Sequence, residues 1–91
     1  MALCVYFPVH GMGSDKYDEV IRRLEAAGAG APRGRTYHVA FKAGDGLQVV
    51  DVWDSHEDFQ AFGETLMPIL SEVGIDAGQP EIGEVHNIIV G

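Results

Sequence analysis

Thr-Tyr-His-Val-Ala-Phe-Lys-Ala-Gly-Asp-Gly-Leu-Gln-Val-Val-Asp-Val-Trp, residues 36–53, followed by Asp-Ser-His-Glu-Asp-Phe-Gln-Ala-Phe, residues 54–62, is the stretch on which the fold turns. Residues 37–42 and 47–53 are rich in β-branched and aromatic side chains, and the glycine-containing turn between them, residues 43–46, predicts a β-hairpin. Ser55 with Asp58 resembles a capping box in which aspartate stands for the usual glutamate. Phe59, Phe62, Leu66, Leu70 and Val73 then form the inward stripe of a helix. Pro68 has no N–H to give the preceding turn, which predicts a kink or a restart, and Gly74 closes the helix.

Working outward, residues 2–9 read as a strand that ends near Pro8. Ser14 is the expected N-cap of a first helix, with Asp15 and Asp18 at its positive end. Tyr17, Val20, Ile21 and Leu24 make one apolar stripe, and Gly28 is the natural stop. Residues 82–90 read as a last strand. The order β-α-β-β-α-β, joined by right-handed crossovers, gives the ferredoxin-like α+β fold: one antiparallel sheet in the order 4-1-3-2 with both helices on one face.

The third strand is apolar at both parities: Val50 and Val52 on one side, Leu47, Val49 and Trp53 on the other. Two helices cover only one sheet face, so a second copy of the chain is expected to cover the other, as a homodimer. A short hairpin puts His38, Ala40 and Lys42 on one face with Leu47, Val49, Asp51 and Trp53. Tyr37, Val39, Phe41, Val50 and Val52 share the opposite face and are the better candidates to lie under the helices. His38 then faces Asp51 if Ala43 pairs with Gly46, or Trp53 if Gly44 pairs with Leu47. Either register places an imidazole, a carboxylate and an indole in a cavity on the helix-free face. An aspartate on one imidazole nitrogen frees the other as a base, so His38 and Asp51 are the catalytic candidates. Trp53, Tyr6 and His86 are candidate substrate-binding residues. The plainer alternative is a satisfied His38–Asp51 pair beneath a dimer interface.

The chain is 91 residues long, enough for one domain (residues 1–91), and is 46% hydrophobic. All six Lys and Arg lie in residues 1–42, beside four acids; residues 43–91 carry ten acids, so the net charge of −8 comes from the second half. There is no basic stripe for a phosphate backbone or an anionic membrane, so neither is an expected partner. One cysteine, Cys4, excludes an intrachain disulfide, and no apolar run approaches a membrane span; a cytoplasmic setting is expected. The histidines lack metal-ligand spacing, and no P-loop, dinucleotide fingerprint or nucleophile elbow is present, so neither metal nor cofactor is expected. His10 precedes a glycine-rich helix start, more simply read as a turn, and His56 falls in the exposed first turn of the second helix.

The run Gly-Leu-Gln-Val-Val-Asp-Val-Trp-Asp-Ser-His-Glu-Asp-Phe-Gln-Ala-Phe, residues 46–62, resembles the core of the dimeric α+β barrel superfamily, in its small branch near the antibiotic-biosynthesis monooxygenases. The Gly-Met-Gly-Ser opening of helix one, Leu-Met-Pro-Ile-Leu and the terminal Val-His-Asn are similar too. The resemblance implies a homodimer around a central barrel, and oxidation of an aromatic substrate by oxygen, often without a cofactor. It carries Trp53 over. The first-strand asparagine common in those enzymes is absent, and Phe62 stands where haem-degrading relatives have a histidine. The expected function is a monooxygenase-like enzyme acting on a small hydrophobic or aromatic metabolite; the alternatives are a ligand-binding module and a structural dimer.

Overall fold

The computed structural model describes residues 2–91. Its register starts at the hairpin. Ala43 pairs with Gly46, leaving a two-residue loop, and Gly44 takes the positive φ (63°) that this tight turn needs. From that turn β2 (Arg35–Ala43) and β3 (Gly46–Trp53) run back antiparallel, with His38 directly opposite Asp51. β1 (Leu3–Phe7) pairs with the other edge of β3, and β4 (Glu81–Glu84) with the far edge of β1. The order β2-β3-β1-β4, all antiparallel, is the expected ferredoxin-like arrangement.

The helices α1 (Ser14–Ala26) and α2 (His56–Val73) pack on each other and on β3. Val20 and Leu24 from α1 and Phe62 and Leu70 from α2 join Val5, Phe7, Val49 and Trp53 in one core. Ser55 Oγ accepts from the Asp58 N–H at 3.2 Å, and Gly74 closes α2 in the left-handed conformation. Gly28 likewise follows the end of α1 with φ +77°. Three local expectations change. Gly13, not Ser14, is the N-cap of α1: its carbonyl accepts from Tyr17 N at 3.1 Å, and it offers no side-chain cap. Pro68 lies inside a continuous α2 rather than restarting it.

The last strand stops at Glu84 instead of running to residue 90. Its partner is the reason: β4 pairs from Tyr6↔Glu81 to Leu3↔Glu84, and β1 begins at Leu3. Only Val85 N–H, bonded to the Ala2 carbonyl, continues the ladder. Ile88, Ile89 and Val90 are exposed.

The larger correction concerns the faces of the sheet. Residues that share a face across this sheet were grouped correctly, but the group holding His38, Asp51 and Trp53 lies under the helices. Val5 and Phe7 of β1 are in register with Asp51 and Val49, and all four are buried with fully enclosed Trp53. Trp53, Phe7 and Val5 pack there against Phe59 and Phe62 of α2 and the rest of the core, which removes their apolar surface from water. The two polar members are tolerated there because they bond to each other. Tyr37, Val39 and Phe41 are left 43%, 53% and 38% exposed on the helix-free face. Cys4, Tyr6, Val50 and Val52 share that face, where only Glu81, on edge strand β4, is charged.

Candidate active site

His38 Nδ1 and Asp51 Oδ1 are 2.6 Å apart, and the Asp51 side chain is only 3% exposed. From above, α1 brings Tyr17, whose hydroxyl lies 2.6 Å from His38 Nε2. Burial, the largest influence, raises the Tyr17 phenol above the ordinary value of 10.0; Arg35 opposes that shift, and Asp51 and Asp18 add to it. A phenol can donate or accept, so the direction of its bond is set by the other side of the ring, where an acceptor-only carboxylate faces Nδ1 and leaves Nε2 to accept from Tyr17. The imidazole hydrogen must then sit on Nδ1, donated to the Asp51 carboxylate. Asp51, His38 and Tyr17 form one hydrogen-bonded chain from the sheet to α1.

That chain ends at a cavity of about 60 Å³ between sheet and helices. Phe7, Val49, Phe62 and Leu66 are among its apolar walls, while Tyr17, Arg35, His38 and Asp51 bring the polar groups. The site is thus a small oily chamber with its polarity gathered at one end; it resembles a small-molecule site in its lining but is well below the roughly 300–1,000 Å³ of pockets that hold drug-sized ligands.

Arg35 reaches the chamber through a β-bulge. Arg35 pairs with Trp53 and Tyr37 with Val52, so Thr36 is an extra residue in β2. Strict alternation from Tyr37 would put Arg35 on the helix-free face; the bulge returns it to the helix side. Its guanidinium sits 5.8 Å from the Phe62 ring centre and donates to the Gly30 carbonyl at 3.1 Å. Gly34, just before it, has φ +88°, and a β-carbon there would come within 2.3 Å of Asp58 Oδ2.

The other expected site residues lie elsewhere. Trp53 does not line the cavity but backs it, packed 5.2 Å from Phe62 and 5.7 Å from Phe59 between ring centres. Its Nε1–H is buried without a partner. Tyr6 is on the helix-free face, donating its hydroxyl to Gln48 Oε1. His86 is exposed beyond the end of β4. Tyr17 and Arg35 were not among the sequence candidates. Tyr17 looked like one member of an apolar stripe, although it alone in that stripe carries a hydroxyl. Nothing in the sequence signals the bulge that redirects Arg35. Among the described residues no three His, Cys, Asp or Glu side chains are grouped to hold a metal ion, and no helix is long and apolar enough to cross a membrane.

No protein-family model matches the chain, and no curated protein matches it in sequence. Solved structures match it in shape. SnoaB of Streptomyces nogalater, a cofactor-independent oxygenase, aligns with a TM-score of 0.63 at 18% identity, over 97% of this chain and 94% of that one. A protein of unknown function from Nitrosomonas europaea gives 0.60 at 21% identity, over 99% and 92%. A Caulobacter crescentus protein assigned to the antibiotic biosynthesis monooxygenases gives 0.59 at 15% identity, over 97% and 89%. At these identities the shared property is the fold, a ferredoxin-like α+β domain of the kind seen in antibiotic-biosynthesis monooxygenases and their structural neighbours.

Proposed function

We propose that the chain is a monooxygenase-like enzyme acting on a small hydrophobic or aromatic metabolite held between helices and sheet. The observation that carries this reading is the Asp51–His38–Tyr17 chain opening onto an apolar cavity. A carboxylate that holds Nδ1–H makes Nε2 the proton acceptor and stabilises the imidazolium formed when a proton arrives. His38 is the base, Asp51 orients it, and Tyr17 passes or yields the proton position at the cavity wall. An aromatic substrate deprotonated in such a chamber is electron-rich and can itself supply the electrons that O2 takes up, one oxygen atom replacing two hydrogens at carbon and the other leaving as water. The neighbour SnoaB, a cofactor-independent oxygenase on the same fold, supports that choice of chemistry.

The test has two parts. Hydroquinones and related aromatics are screened for a raised melting temperature, since a ligand of the native state stabilises it. Oxygen uptake is then followed with those that bind. His38→Ala should keep binding and lose turnover. Binding without turnover in the natural chain would favour a non-catalytic ligand-binding module and reject the enzyme.

The same reading includes a homodimer through the helix-free face. Tyr37, Val39 and Phe41 leave an oily surface on one side of the sheet. In a chain of net charge −8, the strands of that face carry only Glu81, so two copies can meet there with little like-charge repulsion.

A further inference from the structure

We infer that the cavity takes an anion, a carboxylate carried on a small apolar body, and that Arg35 is the group that anchors it. The inference rests on the reading of this cavity as a ligand site and adds the charge of the ligand. Arg35 is the only cationic residue lining the cavity. Its guanidinium has five N–H donors, and within the chain it finds one acceptor, the Gly30 carbonyl, and the face of Phe62. Among the described residues no carboxylate is within ion-pairing distance of it, although the chain has fourteen acids and only six Lys and Arg.

Arg22 and Arg23 on α1 behave otherwise: both pair with Glu19, and Arg23 also reaches Glu72; exposed Arg33 has no carboxylate partner among the described residues, but it does not line the cavity. Asp51, the acid that shares the cavity, is already engaged by His38. The bulge at Thr36 interrupts the β2–β3 ladder, and its effect is to aim Arg35 at this chamber. Held from behind by Gly30 and placed over the Phe62 ring, the guanidinium fork is oriented in advance with donors to spare. That arrangement suits a planar carboxylate, which accepts two parallel N–H bonds.

The experiment titrates the full chain with benzoate, benzamide and benzylamine, and with isobutyrate and isobutyramide, following the Tyr17 and His38 ring resonances. Each carboxylate is expected to bind about tenfold tighter than its amide, the discrimination typical of a charge-assisted pair, and benzylamine not at all. Arg35→Met should erase that preference, and Arg35→Lys should keep part of it. The comparison within the natural chain decides the matter even if a variant fails to fold. Amides binding as tightly as carboxylates, or a preference that survives Arg35→Met, would overturn the anion while leaving the cavity as a ligand site. No saturable shift with any of the five compounds would remove both readings.

Discussion

Tyr17 on α1 donates its phenolic hydrogen to Nε2 of His38 on β2 across 2.6 Å, and this bond ties the helix layer to the sheet at the polar end of the cavity. Because the imidazole is held on its other side by Asp51, the helix, the edge strand and the central strand are joined through a single ring. The rings of Tyr17 and His38 also lie nearly parallel, 12° apart.

The first expectation concerns alkaline pH. The folded Tyr17 phenol lies above 10.0, raised first by burial. The folded state therefore holds this proton more tightly than the unfolded chain does. The resulting stability is fully present below pH 10.0 and is lost as the pH rises through the folded value. Ultraviolet titration should show a phenol ionising above 10.0 that disappears in Tyr17→Phe. An unchanged titration curve in the variant would assign that step to another tyrosine.

Asp51→Asn keeps the shape of the side chain and removes its charge. A hydrogen bond to an ionised partner contributes about 1.5–3 kcal/mol, so urea unfolding should reveal a loss of that order. The substitution also frees the imidazole to adopt the other tautomer, and oxygen uptake should fall with it. A variant as stable and active as the natural chain would mean that the pair is incidental.

Trp53 is wholly enclosed, and truncation to alanine should cost about 3–5 kcal/mol, a large share of what a domain this small possesses. Its Nε1–H has no partner to lose, so Trp53→Phe removes volume alone and should cost roughly 1–2 kcal/mol. Equal losses for the two variants, measured by denaturant unfolding, would show that the indole nitrogen is hydrogen-bonded after all.

Val39 is more than half exposed, so Val39→Glu should change the stability of an isolated protomer by less than about 0.5 kcal/mol. Placed at the middle of an apolar interface between copies, the same charge should dissociate the dimer. Sedimentation of the natural chain and the variant at micromolar concentration makes the comparison. A natural chain that sediments as a well-folded lone protomer would dispose of the homodimer.

The sequence carried the pairing of His38 with Asp51 as one of two hairpin registers; the structure pairs Ala43 with Gly46, and everything upstream then follows by counting. It did not carry the side of the sheet on which that pair lies. Both parities of β3 are apolar, and the polarity of His38 and Asp51 argued for the outside when viewed one residue at a time. Burial became acceptable only through a third residue, Tyr17, which arrives from a helix 21 positions away. His86 and Tyr6 missed the cavity for the same kind of reason: the end of the β1–β4 ladder and the facing of β1 are set by strand pairing, which their own residues do not reveal.

The extra residue at Thr36 makes the chamber's chemistry depend on strand register as much as on composition. Close that bulge at constant chain length, so that Thr36 and not Arg35 lies opposite Trp53, and an unchanged arginine would turn outward to the bare side of the sheet, leaving the chamber with no positive charge. Chains of this architecture can thus gain or lose a cationic pocket by a one-residue slip in pairing while every side chain in it keeps its identity.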